Sequence, residues 1–353
     1  MTTRREFLRD ATLGVAGVGL GATLPGALAA ATGASVRSVP LKVHRSEQVA
    51  TGTGLFYDPA CLEHVVPAAS SGAPRPEIAE RLVRIMQVMN ERGLVDDMRP
   101  LSAHADPMPY IAAHHTAEHV AGIRRIPVTG PLAELAVAGA LGAVDAVVGG
   151  EVRNAFCAVR PPGHHANNTG EEEGFCYYSN AAITARYAQR AHGFERVLII
   201  DWDYHHGNAT QNAFFEDPSV LFYSTHDWQA YPQTGDPALV GEGEGRGTNI
   251  NVHLDCGSRD LDMLRAWDQR LERAVSDFDP DFIIVSAGFD SRQDDLLGCF
   301  DVTDDAFRRM TRSAMAFADS CCEGRLVSLL EGGYNVDGLA LATAAHVETL
   351  LSG

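Results

Sequence analysis

Six short aliphatic runs constrain this chain more than anything else in it. AFCAV, VLIIDWD, VLFYSTH, NINVHL, DFIIVSAGF and LVSLLEGGY follow one another from residue 155 to residue 334, each of strand length. Helical patterns at 179–192, 258–276 and 304–323 lie between several of them. Apolar strands separated by helices predict a parallel sheet with both faces covered, because only a strand buried on both sides carries a continuous apolar run. TGTGLFYDPACLEH at 51–64 adds a first strand and its turn, and helices are predicted over 78–93, near 109–123 and along the Ala/Gly/Val-rich stretch 132–149. No internal repeat or composition break divides this region, so 51–353 is predicted to be a single α/β domain.

The polar residues fall at the C-terminal ends of these runs, where open α/β sheets hold their ligands. IIDWDYHHGN at 199–208 ends an aliphatic run with two aspartates and two histidines. Strand alternation predicts that Asp201, Asp203 and His205 face one polar pocket. Together with Asp290 of SAGFDSRQDD, Asp203 and His205 offer two oxygens and a nitrogen, the open donor set of a catalytic rather than a structural zinc site. So many close ionisable groups without a cation would be costly, and Asp201 and His206 are left with hydrogen-bonding duties. RPPGHHANNTGEEEGFCYYSN at 160–180 carries His164 and His165 on a Pro-stiffened loop, in a position to relay protons near neutrality. In LEGGYNVDG, Gly332 and Gly333 turn the chain and present Tyr334, whose hydroxyl can donate to an oxyanion. Each feature alone has a plainer reading, as a strand cap, a pair of loop histidines or a core aromatic. Their convergence at strand ends favours a shared site.

Residues 1–30, MTTRREFLRDATLGVAGVGLGATLPGALAA, read as a signal peptide: Arg4 and Arg5, an apolar Gly/Ala stretch, then a small-residue ALA pattern. RREFL resembles a twin-arginine leader, which implies the twin-arginine export machinery as a partner and an exported, periplasmic or extracellular location in a bacterium. Residues 31–50 read as a linker or processed tail. The formal net charge of −18, with Lys42 the single lysine, argues against nonspecific nucleic-acid binding, which needs a basic stripe. An acidic field is compatible with a cationic substrate. After the leader no second apolar stretch is expected to span a bilayer, so the mature form is expected not to be membrane-spanning. The cysteines, Cys61, Cys157, Cys176, Cys256, Cys299, Cys321 and Cys322, are odd in number and lack a CxxC pair. They are expected to be buried small hydrophobes with a free thiol rather than a disulfide framework.

RPPGHHA, GFCYYSN, DWDYHHGN, STHD, YPQTGD, SAGFDS and LEGGYN stand in the order found in the zinc-dependent histone deacetylase family. The chain most resembles its class II and bacterial acetylpolyamine-amidohydrolase-like branches, from TGLFYD at 53 almost to the C-terminus. The resemblance implies the arginase/deacetylase fold, a mainly parallel eight-stranded sheet flanked by helices, and hydrolysis of an acetylated lysine or polyamine. It implies Asp203, His205 and Asp290 as ligands of one catalytic Zn2+, with His165 as general base and His164 as its partner beside the leaving group. Tyr334 would bind the carbonyl oxygen. Asp201 would orient His164 and, with Ser224 and main-chain oxygens, hold a structural K+; His206 would support the shell and Asn208 would orient His165. Gly174, Phe175, Tyr231 and Leu297 would form the substrate channel.

Departures from the family pattern bear on substrate. SSGAPRPEIAERL resembles the family's HPERPERL segment but lacks its first histidine. Leu297 stands where polyamine-selective members place a gatekeeping glutamate, which tilts the reading toward acetyl-lysine-like or small N-acetylated amines, in a peptide or free, unless Asp294 or Asp295 takes over that duty. An acetylpolyamine amidohydrolase is the alternative. An arginase-type dimanganese hydrolase would want a DxHxD strand where this chain has DWDYH, and a silent binding module for acylated amines would not need His165 and Tyr334 beside a complete ligand set. The sequence is compatible with an oligomer.

Overall fold

A computed structural model describes residues 51–67 and 75–353. The leader and the linker read at 1–50 lie outside the described residues. Eight strands form one sheet in the order β2-β1-β3-β8-β7-β4-β5-β6. They are β1 (Thr53–Phe56), β2 (Arg99–Pro100), β3 (Asn154–Cys157), β4 (Val197–Asp201), β5 (Val220–His226), β6 (Asn249–His253), β7 (Phe282–Ala287) and β8 (Leu326–Leu330). Every pairing is parallel.

Period-two alternation divides each central strand between two cores. Val197 and Ile199 of β4 join one apolar cluster, as do Phe282 and Ile284 of β7 and Val327 and Leu329 of β8. Leu198 and Ile200, Ile283 and Val285, and Leu326 and Leu330 join the other. The first face is covered by α2 (Thr129–Val148) and α3 (Asn180–His192). The second is covered by α1 (Glu80–Glu91), α4 (Asp304–Cys321) and α5 (Val336–Leu351). Each fully buried Val, Leu or Ile contributes about 1.5–3 kcal/mol, so both faces are held strongly and neither can slip by one residue.

The structure corrects several expectations. The helix expected near 109–123 is two, Met108–His114 and Ala117–Arg124, because Thr116 accepts a hydrogen bond from the His119 N–H and starts a new helix. The pattern at 258–276 is broken by a π-helical turn at Trp267–Leu271. Contrary to the expectation of no further apolar stretch, Thr129–Val148 is long and apolar enough to cross a membrane, but most of it is buried in the core. Its Gly139 lies so close to Phe56 that a Cβ there would collide with the ring. Cys256 and Cys299, read as unpaired, form a disulfide with Cα atoms 5.1 Å apart, whereas Cys61, Cys157, Cys176 and Cys322 are free and buried. The two partners sit on the loops that leave β6 and β7, so only the fold brings them together.

Candidate active site

Four neighbouring strands, β3, β8, β7 and β4, send their C-terminal loops over the middle of the sheet. β4 ends at Asp201, and the alternation continues past it: Trp202 and Tyr204 enter the core while Asp201, Asp203 and His205 stay on the polar side. These three lie in one buried cluster but take different partners in it. Asp201 turns toward His164, its Oδ2 3.0 Å from Nδ1, while Asp203 and His205 meet Asp290. The regular backbone has ended, and local hydrogen bonds set the directions instead: the Asp203 N–H donates to Asp201 Oδ1 at 3.0 Å and the His205 N–H to Asp203 Oδ1 at 2.8 Å.

One ligand atom from each of Asp203, His205 and Asp290 lies within 4.8 Å of the others, and all three residues are buried. His205 Nδ1 stands 2.9 Å from Asp290 Oδ2 and 3.2 Å from Asp203 Oδ1. Backbone donors orient the other carboxylate oxygens, Tyr204 N–H to Asp290 Oδ1 at 2.7 Å and Gly332 N–H to Asp203 Oδ2 at 2.8 Å, and leave lone pairs for a metal. Gly332 is required for that approach, since a Cβ would collide with the Asp290 and Asp203 carboxylates. Two oxygens and one imidazole nitrogen converging among buried residues suit a zinc ion with an open position. The charge balance agrees: burial and the adjacent Asp203 push the Asp290 carboxyl up to about 7. Burial opposes a charge on His164, but Asp203 and Asp201 outweigh it and raise the imidazole to about 10.

His165 Nδ1 donates to Asn208 Oδ1 at 2.8 Å, which leaves Nε2 without a proton and free to accept one. Burial and the neighbouring His164 and His205 rings hold its pKa well below the usual histidine range. Tyr334 is buried at the turn after β8, and burial together with Asp290 and Asp203 keeps its hydroxyl protonated far above the usual range. His206 lies farther back, bonded through Nδ1 to Thr234 Oγ1 at 2.7 Å and 4.5 Å from the His226 ring. Ser224 pairs with Asp201 in sheet register, but its hydroxyl is taken by His226 Nδ1 at 2.8 Å.

Phe175, Leu297 and Tyr334 form a small apolar cluster joined by Val66, and the Tyr231 ring lies 5.0 Å from that of His165. Gly174 passes so close to His165 and Tyr231 that a side chain there would collide with both. Phe175 itself has φ 72°, a left-handed conformation held by its N–H bond to Glu172 Oε1 at 2.6 Å. Glu172 also pairs with Arg75 at 2.6 Å, and the Arg75 guanidinium lies 5.3 Å above the Phe175 ring. Of the two aspartates offered as a substitute gate, Asp294 is exposed, and Asp295 accepts from four backbone N–H groups, two of them those of Leu297 and Tyr334.

Sequence reasoning assigned no role to three features. Glu331, inside the quoted LEGGY, accepts from the N–H groups of Gly163 at 2.7 Å and His164 at 3.3 Å. With His164 and Cys176 it forms a second buried trio of possible ligands, but its carboxylate is already committed and the third donor is a thiol, so one oxygen-rich metal position is the better count. Glu77 and Arg81, inside PEIAERL, join Arg160 in a buried network beside the Tyr334 turn. A signal existed for all three, charged residues within segments already singled out.

The histone deacetylase domain family matches residues 75–350. A probable deacetylase of Archaeoglobus fulgidus is 36% identical over 85% of this chain and 86% of its own length. The histone deacetylase clr3 of Schizosaccharomyces pombe is 34% identical over 87% of this chain, which spans 49% of that longer protein. Among solved structures, the HDA15 HD domain superposes with a TM-score of 0.79 at 34% identity, covering 85% of this chain and 91% of that one.

Proposed function

The chain belongs to the histone deacetylase family, and on that premise we propose that it is a zinc-dependent amidohydrolase that removes the acetyl group from an acetyl-lysine-like or small N-acetylated amine. The observation that carries the reading is the buried convergence of Asp203, His205 and Asp290, with His165, backed by Asn208, on the neighbouring loop. Those three residues would hold the metal. Bound there, zinc would polarise the acyl carbonyl and acidify a water molecule. His165 accepts the proton of the attacking water through Nε2, its other nitrogen being fixed by Asn208. Tyr334 donates its hydroxyl to the carbonyl oxygen as negative charge grows there. His164, held by Asp201, stands beside the departing amine.

A structural K+ is proposed at Asp201 and Ser224: His226 Nε2 donates to the Gly235 carbonyl, so its Nδ1 accepts from the Ser224 hydroxyl, whose oxygen keeps its lone pairs, and each Asp201 oxygen accepts a single hydrogen bond; no step depends on it. An acetylpolyamine remains the alternative substrate, disfavoured by Leu297 in the channel wall and by the engagement of Asp295. Export through the twin-arginine route is proposed from residues 1–30 alone, and would make small acylated amines or exported peptides the natural encounter rather than histones. Retention of an Arg4→Lys, Arg5→Lys variant inside the cell is the expected outcome; unchanged export removes that reading.

Purified protein is expected to hold about one tightly bound divalent ion per chain and to turn over an acetyl-lysine peptide faster than acetylputrescine or acetylspermidine. Two ions per chain would favour the arginase-like reading, and a polyamine preference would overturn the substrate assignment. Metal binding without any turnover would leave the silent binding module.

A further inference from the structure

We propose that Asp295 is the positioning residue for Tyr334, the carboxylate that sets the oxyanion donor and the channel wall in register; this rests on the reading of Tyr334 as the carbonyl-oxygen donor. An ionised carboxylate offers about four lone-pair sites. Asp295 fills them with four backbone N–H groups from two distant segments. Oδ1 accepts from Leu297 at 2.9 Å and Gly298 at 3.2 Å. Oδ2 accepts from Tyr334 at 2.7 Å and Asn335 at 3.0 Å. One side chain therefore joins the loop after β7, which forms the wall at Leu297, to the turn after β8, which presents Tyr334.

The opposite side of that turn is held by a charge of opposite sign. Arg81 donates Nε to Gly333 O at 2.6 Å and an Nη to Glu331 O, with its guanidinium 5.2 Å from the Tyr334 ring. The anion takes the N–H groups and the cation takes the carbonyls, so each polarity of the turn meets its complement. Gly333, at φ 120°, lets the chain reverse between the two clamps. A short turn held from both sides is what places a phenol to the accuracy that oxyanion stabilisation demands. The same saturation removes Asp295 as an acceptor for a substrate ammonium, which would have to displace backbone donors to reach it.

The test is a double-mutant cycle of Asp295→Asn and Tyr334→Phe on an acetyl-lysine peptide and on acetylputrescine, with metal content measured for every variant. Asp295→Asn puts an amide donor against backbone N–H groups. It is expected to lower kcat roughly 10- to 100-fold on both substrates, with KM changing less and the metal retained. In the Tyr334→Phe background the same change is expected to cost under about twofold in kcat. Tyr334→Phe with native kcat would sink the oxyanion reading and the proposal with it. An impaired Tyr334→Phe whose loss simply adds to that of Asp295→Asn would sink the proposal alone. So would an effect confined to the KM for acetylputrescine, which would make Asp295 the gate. If Asp295→Asn yields no folded protein, Asp295→Glu, which keeps the charge but moves it by one methylene, takes its place in the cycle, and the same outcomes support or sink the proposal.

Discussion

Two clusters of buried charge sit on either side of the Tyr334 turn, and they solve the same problem differently. Around Glu77, two guanidinium groups embrace one carboxylate: Arg160 binds it through Nε at 2.5 Å and Nη2 at 2.7 Å, and Arg81 through Nη1 at 2.9 Å. Their other donors end on the carbonyls of Cys61, His64, Gly333 and Glu331. Around Asp203, four acids (Asp201, Asp203, Asp290 and Glu331) face two imidazoles, His164 and His205, at equal burial. Burial alone would raise the Glu77 carboxyl, yet its arginines hold it down to about 2, whereas burial and Asp203 push Asp290 up to about 7. Burial therefore does not mark function. The surplus guanidinium donors around Glu77 end on main-chain carbonyls, whereas the surplus carboxylates around Asp203 call for a cation from outside.

The largest effect should come from the cluster that needs an outside partner. Asp290→Ala removes one of three donors and is expected to abolish tight metal binding and cost well over ~100-fold in turnover, since even residues that merely support metal ligands cost 10–100-fold. Elemental analysis beside a turnover assay decides it; a variant that keeps its metal would break the comparison.

The self-contained cluster should fail differently. Arg160→Met leaves Glu77 with part of its shell, and breaking a buried pair costs about 3–5 kcal/mol, measurable by denaturant unfolding, with metal content unchanged. A loss under about 1 kcal/mol would mean that Arg81 suffices. The pH dependence has a definite sign. The folded pKa of Glu77, about 2, lies below its ordinary 4.5, so the stabilisation is complete above pH 4.5 and is lost as pH falls toward 2. Arg160→Met should flatten that acid limb; an unchanged limb would assign it to other carboxylates.

Tyr334→Phe comes next. It deletes the donor but no charge, and is expected to cost about 100-fold in kcat while metal content and melting temperature stay near native. Metal loss in this variant would mean that the turn holds Asp203 and Asp290 more than it serves the substrate.

The same contrast explains what is legible before folding. VLFYSTH is β5 to the residue, a β-branched and aromatic run of strand length buried along its whole course. Asp203, His205, Asp290 and Tyr334 are legible because each breaks the expectation for the end of an aliphatic run, and local violations gather at functional sites. The C-terminal helix Val336–Leu351 escapes such a reading since it is buried on nearly every side and shows no amphipathic stripe. Asp295 passes for a candidate gate because SRQDDLLG looks like an acidic surface loop, and two of the N–H groups that consume it belong to residues 334 and 335. Glu77 and Arg160 are 83 positions apart, and their pairing exists only in the fold. Motifs announce the groups proposed to react, whereas those proposed to position them are identified by partners far away in sequence.

The smallest predicted effect concerns a third way to balance a charge near the channel, with a partner carried by the substrate. Leu297 now contributes only apolar surface beside Phe175 and Tyr334. Leu297→Glu would place a carboxylate in that wall with its backbone N–H still tied to Asp295, so the loop should keep its shape. The arginines over the neighbouring rings, Arg75 at Phe175 and Arg81 at Tyr334, are already paired with Glu172 and Glu77, and Leu297 is not one of the proposed metal ligands. A new partner for that carboxylate would be an ammonium on the substrate, present in acetylspermidine and acetylputrescine and absent from the aliphatic stem of acetyl-lysine. A partly solvated pair of this kind is worth up to about 1 kcal/mol, or roughly fivefold. The ratio of kcat/KM for acetylputrescine over acetyl-lysine peptide should therefore rise by about that factor, and the gain should shrink in high salt. An unchanged ratio would mean that the substrate cation never reaches this wall, and that selectivity is set farther out, by the Arg75 and Glu172 pair at Phe175.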